Sequence, residues 1–230
     1  MPELVWRLGE IRGVEWIRIM YSHPARADVL LDALLASAKT CRYADIPVQH
    51  SSSRILAAMG RPGSGEQYLR ALEKLRERIP GISLRSTFIV GFPGETGDDF
   101  SNLLSFVREA RFEHAGAFKF SPEEGTRAYS LAGSVPERTV NERLAALQRA
   151  LWEVSVSEHR KRLGSQTSVI VDEVRDGLVL GRTEFQAPEI DGITRIPWNG
   201  HAVRRGDIVP CTLQSLNGHD FTAFPHFPVE

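Results

Sequence analysis

Apolar positions along the first two thirds of the chain switch between a helical and a strand period. Leu4, Val5, Leu8 and Ile11 share one helical face, so the chain opens inside or at the start of a helix. Trp16–Tyr21 reads as a strand, and Val29–Leu35 as the helix after it. Ala44–Val48 is a second short strand ending at Gln49-His50, followed by a short helix over Ser53–Met59 and a break at Gly60-Arg-Pro-Gly63. Glu66–Ile79 is amphipathic, with Leu69, Leu72, Leu75 and Ile79 inward. Ser83–Val90 is the third strand and Phe100–Ala110 its helix; Ala115–Phe120 is the fourth. Ser134-Val-Pro-Glu137 then caps a long helix with Val140, Leu144, Leu147, Leu151 and Val154 on one face. Strands alternating with helices in this way form βαβ units and a parallel sheet. Four strands make only part of a βα barrel, which in its eight-stranded form needs roughly 250 residues.

After Gly164 no helical period remains. Ser168–Val174, Leu178–Thr183, Ile193–Ile196, Ile208–Leu216 and Phe221–Phe224 are short strands, separated by turns such as Arg175-Asp-Gly177 and Leu216-Asn-Gly218. That pattern suggests a small OB-like barrel. The expected fold is therefore α/β: a partial TIM-like βα barrel over residues 1–164, then a small all-β barrel over residues 165–230.

Charge refines this division. The whole chain is near balance, with 28 Lys+Arg against 29 Asp+Glu, which argues against wholesale nucleic-acid binding. The second unit carries Arg175, Arg182, Arg195, Arg204 and Arg205 against nine acids, so it suits a basic protein partner better than a phosphate backbone. Cys41 and Cys211 are too few and too far apart to suggest a disulfide framework or a metal site. No apolar run approaches the roughly 20 residues of a membrane span, and Met1–Glu10 lacks an apolar signal core. These features point to a soluble, cytoplasmic protein with no membrane partner.

In parallel α/β sheets, function gathers at the C-terminal strand ends. That rule selects Tyr21–Pro24, Gln49–Ser53, the Gly91–Thr96 loop and Ser121–Thr126. Within Arg85–Thr96 (RSTFIVGFPGET), Gly91 and Gly94 permit close approach to the main chain, and Thr96-Gly-Asp-Asp99 starts the next helix. The same loop also reads as a tight turn and no more. Arg85 fits either an anionic ligand or a structural ion pair. Glu123 and Glu124 resemble a carboxylate pair, although adjacent side chains diverge and a solvated loop is the plainer reading. His201, His219 and His226 lack ligand spacing and read as surface residues.

The segments Ile46–His50 (IPVQH), RSTFIVGFPGET and Phe120–Thr126 (FSPEEGT) stand in the order and approximate spacing of the methylthiotransferases, radical S-adenosylmethionine enzymes ending in a TRAM barrel. The resemblance runs from about Glu15 to Phe224. Gln49-His50, Glu123-Glu124-Gly-Thr126 and the barrel segment Gly181–Gly192 (GRTEFQAPEIDG) are similar to the RimO-type branch rather than the tRNA-modifying one. That branch methylthiolates the β-carbon of an aspartate on the decoding-centre protein of the small ribosomal subunit. The resemblance implies S-adenosylmethionine and [4Fe–4S] clusters as cofactors, and a basic small-subunit ribosomal protein as partner in preference to tRNA. It places Gln49, His50, Arg85, Ile89, Gly91, Phe118 and Ser121 on the S-adenosylmethionine side. Phe118 and Phe120 alternate with Lys119, and the phase facing the barrel interior is open at this level. Glu123, Glu124, Ala187, Pro188, Glu189 and Asp191 would meet the ribosomal substrate. No metal ligand and no catalytic residue is identifiable, because the family's three closely spaced cysteines are absent. The expectation is an incomplete radical S-adenosylmethionine barrel whose cluster domains are missing, with a tRNA methylthiotransferase or a non-catalytic remnant that binds the ribosomal protein as the alternatives.

Overall fold

The computed structural model describes residues 1–199 and 202–226; His201 lies outside them. In chain order the elements are α1 (Pro2–Gly9), a 3₁₀ turn (Pro24–Arg26), α2 (Ala27–Leu34), β1 (Tyr43–Asp45), α3 (Ser53–Ala58), α4 (Gly65–Arg78), β2 (Ser83–Val90), α5 (Gly97–Ala110), β3 (His114–Lys119) and α6 (Glu137–Arg160). The all-β part follows: β4 (Gln166–Arg175), β5 (Leu178–Thr183), β6 (Thr194–Pro197), β7 (Ile208–Asn217) and β8 (Asp220–Pro225).

The first strands form a parallel sheet in the order β1-β2-β3. The expected strand over Trp16–Tyr21 lies beside β1 but is not a regular strand. Ile17 bridges in parallel to Thr40, and the Ser22 amide donates to the Asp45 carbonyl at 2.8 Å. Between those ties the Tyr21 amide turns to the Asp45 side chain at 3.2 Å, so the ladder is interrupted by a carboxylate. Four expected strands thus become three and a tethered edge segment.

Register separates the two faces of the sheet. Leu84, Phe88 and Val90 of β2 pack with Ile46, Val48, Leu103 and Phe106 in the helix-side core. The opposite phase carries Asp45, Arg85 and His114 in one row and Ile89 beside Phe118 in another. Phe118 therefore belongs to the barrel-facing phase, where it is 60% exposed.

Strands β4-β5-β6-β8-β7 close into a barrel around Val169, Val179, Ile196, Leu213 and Phe221. Alternating buried positions such as Val179, Gly181 and Thr183 explain the closure, because period-two burial gives each strand one inward face. Helix α6 runs from the sheet to the barrel and packs against β3. The seam beside it is polar: Arg42 pairs with Glu184, the Ser155 hydroxyl donates to the Glu113 carbonyl at 2.5 Å, and His114 Nε2 donates to the Phe185 carbonyl at 2.8 Å.

Candidate functional site

The C-terminal strand ends open onto a cleft of about 600 Å³. Gln49 forms one wall. Its φ of 70° takes it out of the line of β1, yet its amide donates to the Thr87 carbonyl and its carbonyl accepts from Ile89, both at 2.8 Å. That left-handed turn aims its side chain at the cleft, where Oε1 is buried with no hydrogen-bond partner among the described residues. Ile89 forms the floor, and Phe92 and Phe120 meet edge-to-face at 5.0 Å on another side. Thr126, Ala128 and Leu131 line the far wall, on a loop tied back where the Gly94 amide donates to the Gly133 carbonyl at 2.7 Å. A cleft with an apolar floor and side, and with a buried amide oxygen unmatched among the described residues, suits a mixed ligand with a flat apolar part and a donor.

The glycine–proline turn supports this cleft from behind. Gly91 adopts a φ of 77°, and a Cβ there would fall 2.6 Å from Val140 Cγ2 of α6. Its amide donates to Glu95 Oε2 at 2.5 Å, and Arg143 of α6 holds Glu95 Oε1 at 2.9 Å. The turn thus fills its own amide site with Glu95. Burial pushes the Glu95 carboxyl above its ordinary value, against the pull of the Gly91 amide and Arg143. The turn fixes α6 to the sheet and positions the flanking Ile89 and Phe92.

The other sequence candidates are dispersed. His50 alternates to the opposite side from Gln49 and is fully buried. Its Nδ1 accepts the Ser51 and Ser52 amides at 3.0 and 2.9 Å, and burial drives it down to about 4. The ring is a neutral anchor for the start of α3. Arg85 lies deeper in the sheet and spends its charge on Asp45 at 3.1 Å and Asp191 at 3.4 Å. Phe118 shares a smaller hollow with Trp152 and His219, away from the cleft. Ser121, Glu123 and Glu124 are exposed on the outgoing loop, where the Ser121 hydroxyl donates to Glu123 at 2.8 Å. In the barrel, Ala187 and Asp191 are buried in the seam: Asp191 Oδ2 accepts from the Tyr43 hydroxyl at 2.5 Å and from the Ala187 amide at 2.9 Å. Pro188, Glu189 and Ile190 are the exposed residues of that segment.

Two features escaped the sequence reading. Arg61 lines the cleft beside Gln49, together with Phe92 of the selected Gly91–Thr96 loop and Phe120 of the Phe120–Thr126 motif; for Arg61 the Gly60-Arg-Pro-Gly63 break after an apolar helix end was the available signal. His219 is half-buried rather than a surface residue and lies in a row with His159, edge-on at 5.6 Å between centroids, and His114, tilted against His159 at 4.8 Å. His226 is exposed and meets the Thr212 hydroxyl at 2.7 Å. The three contacting histidines come from β3, α6 and the β7–β8 turn, and no local spacing brings them together.

An iron–sulfur cluster does not fit these residues. Cys41 is buried with Tyr43 and Ala187, Cys211 lies inside the small barrel, and burial raises each thiol to about 11. Among the described residues no group of three His, Cys, Asp or Glu side chains is placed to hold a metal.

A parallel sheet with helices, a cleft at its C-terminal edge and an appended five-stranded barrel define the class. The Radical SAM superfamily model matches residues 1–107 and the TRAM domain model matches residues 163–225. Coproporphyrinogen III oxidase from Escherichia coli, a radical SAM enzyme, has a similar fold at a TM-score of 0.54 and 19% identity, over 71% of this chain and 44% of that one. Curated relatives are more specific. The ribosomal protein uS12 methylthiotransferase RimO of Moorella thermoacetica is 43% identical over 96% of this chain and 50% of its own length. Those of Desulforamulus reducens and Alteromonas mediterranea are 41% and 42% identical, over 50% and 45% of their lengths. The chain is a homologue of the RimO-type methylthiotransferases of the radical SAM superfamily, and it spans about half the length of the curated relatives it matches.

Proposed function

We infer that this chain supplies the cofactor-facing wall and the partner-docking barrel of a cytoplasmic methylthiotransferase. Its substrate is an aspartate on ribosomal protein uS12, modified at the β-carbon. The observation that carries the reading is the cleft formed by Gln49, Ile89, Phe92 and Phe120 at the C-terminal strand ends, in a chain related to uS12 methylthiotransferases along 96% of its length. S-adenosylmethionine, when bound, supplies the adenosyl group for hydrogen abstraction and a methyl group for transfer. The residues here bind and orient it. Ile89, Phe92 and Phe120 offer apolar surface to a flat base, and the unmatched Gln49 Oε1 accepts a hydrogen bond. No step is assigned to a cluster, because the two thiols present do not fit one.

We retain Gln49 and Ile89 as direct contacts. His50 and Gly91 act by holding the walls; Arg85 acts with Asp191 at the seam. We place substrate docking on Pro188 and Glu189 of the barrel and on Glu123 and Glu124 of the loop, all exposed. A basic protein partner follows from five arginines against nine acids in residues 165–230, a balance that disfavours tRNA. The test is mass spectrometry of uS12 from cells with and without the gene. Loss of the methylthio group from uS12 on deletion is the expected result. An unmodified protein in both strains, or loss of a methylthio group from tRNA instead, rejects the reading.

A further inference from the structure

We propose that Arg61 is the carboxylate-reading residue of this cleft, with Arg127 as a second cation at its mouth. Arg61 and Arg127 are the only charged side chains lining the cleft among the described residues, and no acid faces them there. Among the other partly buried arginines, Arg85, Arg143, Arg162 and Arg182 pair with Asp45, Glu95, Glu113 and Asp172, while Arg18 and Arg76 donate to backbone carbonyls with Asp191 and Glu113 nearby. Arg61 has no carboxylate among the described residues. Its Nη2 donates to the Pro47 carbonyl at 2.6 Å, which fixes the guanidinium in place, and its Nε is buried with no partner among the described residues. Burial accordingly lowers its pKa, with the Tyr68 phenol the only opposing influence.

Leaving a positioned, partly buried guanidinium without a counter-charge is costly, and a planar fork of donors matches a carboxylate. The cleft therefore fits a ligand with an apolar body and a carboxylate at one end. Under the function proposed above, on which this inference rests, two such groups arrive: the amino-acid end of S-adenosylmethionine and the side chain of the acceptor aspartate. The sulfonium and ammonium of S-adenosylmethionine are repelled by Arg61 and Arg127, so a carboxylate must lead into this corner.

Calorimetric titration of the full chain distinguishes the sources. One arm compares S-adenosylmethionine with its decarboxylated analogue; the other compares a uS12 loop peptide carrying the aspartate with its asparagine form. Wild type should prefer the carboxylated member of at least one pair by about tenfold or more, the range of a charged hydrogen bond. Arg61→Met should abolish that preference, and Arg61→Lys should keep part of it, with circular dichroism showing that both are folded. A preference that survives Arg61→Met in both arms overturns the assignment. Ile89→Trp, which fills the floor of the cleft, separates this from failure of the cleft itself. If Ile89→Trp abolishes binding while Arg61→Met keeps the preference, the cleft stands and Arg61 falls. Unchanged binding in Ile89→Trp, or no binding by wild type in either arm, overturns both.

Discussion

Single residues in this molecule act mainly by settling charge and backbone geometry. Asp191 accepts from Tyr43 and Ala187 and faces Arg85, joining the barrel to the sheet at a point 3% exposed. Burial pushes its carboxyl above the ordinary value, against the hydrogen bond from Tyr43. Asp191→Ala would strand a phenol and weaken the hold on an arginine, and should cost about 3 kcal/mol, read from denaturant midpoints. A loss under about 0.5 kcal/mol, the size of a surface substitution, would contradict the hub role. Gly91 is equally constrained. Its φ of 77° disfavours any side chain, and a Cβ there would stand only 2.6 Å from a Val140 methyl. Gly91→Ala should lower stability by about 1–3 kcal/mol and loosen α6 in hydrogen exchange.

At the level of elements, α5 shows how a start signal becomes tertiary. Thr96 and Asp99 form a reciprocal capping box at its N-terminus. Asp99 also accepts from the Ser52 hydroxyl at 2.6 Å and pairs with Arg54, so the cap ties α5 to α3. Partial burial raises the Asp99 carboxyl, but the hydrogen bonds from Ser52, Thr96 and Arg54 outweigh it and hold the group well below its usual range. Thr96→Ala should cost about 1 kcal/mol in thermal or chemical melts, as for other N-caps. Asp99→Ala should cost more, because it also unties Arg54; equal losses would mean the link to α3 adds nothing. The strand-like segment at Trp16–Tyr21 makes the complementary point. Its pattern is that of a strand, but Asp45 intercepts the Tyr21 amide and the ladder stops.

Across the whole molecule, the two units meet through the row of His114, His159 and His219. His159 is fully buried, and both its ring nitrogens lack hydrogen-bond partners among the described residues. Burial, with further repulsion from His114, His219 and Arg162, forces its pKa far down. His114 is pushed to about 3, again chiefly by burial. A histidine whose folded pKa lies below its unfolded value of about 6.5 binds protons only on unfolding, so its contribution falls as pH drops below 6.5. Glu95, Glu113 and Asp191 are shifted upward by burial and act in the opposite sense, so the difference between proteins is the clean readout. His159→Leu should gain on wild type by up to about 1.4 kcal/mol for each pH unit below 6.5. Parallel stability curves from pH 7 to 5 would show that His159 is not the group concerned.

Most of the elements were legible in the residues alone, because local periods and caps suffice to specify them. Glu66–Ile79 and Phe100–Ala110 read as helices from leucine spacing and from Thr96, and the five short strands after Gly164 read from alternation and glycine turns. Gln49 was named as a candidate by the rule that function gathers at strand ends, which needs only the places where β-runs stop, while Ile89 entered only through the family resemblance. The direction of side chains and the pairing of charges across long separations were not. Arg85 faces a carboxylate more than a hundred residues away, His50 turns to backbone amides behind the sheet, and Arg61 lines a cleft with no acid among the described residues. Face and partner are properties of the packed sheet, its register and the seam with the barrel. They are set by packing, because burial and proximity exist only once the chain is folded.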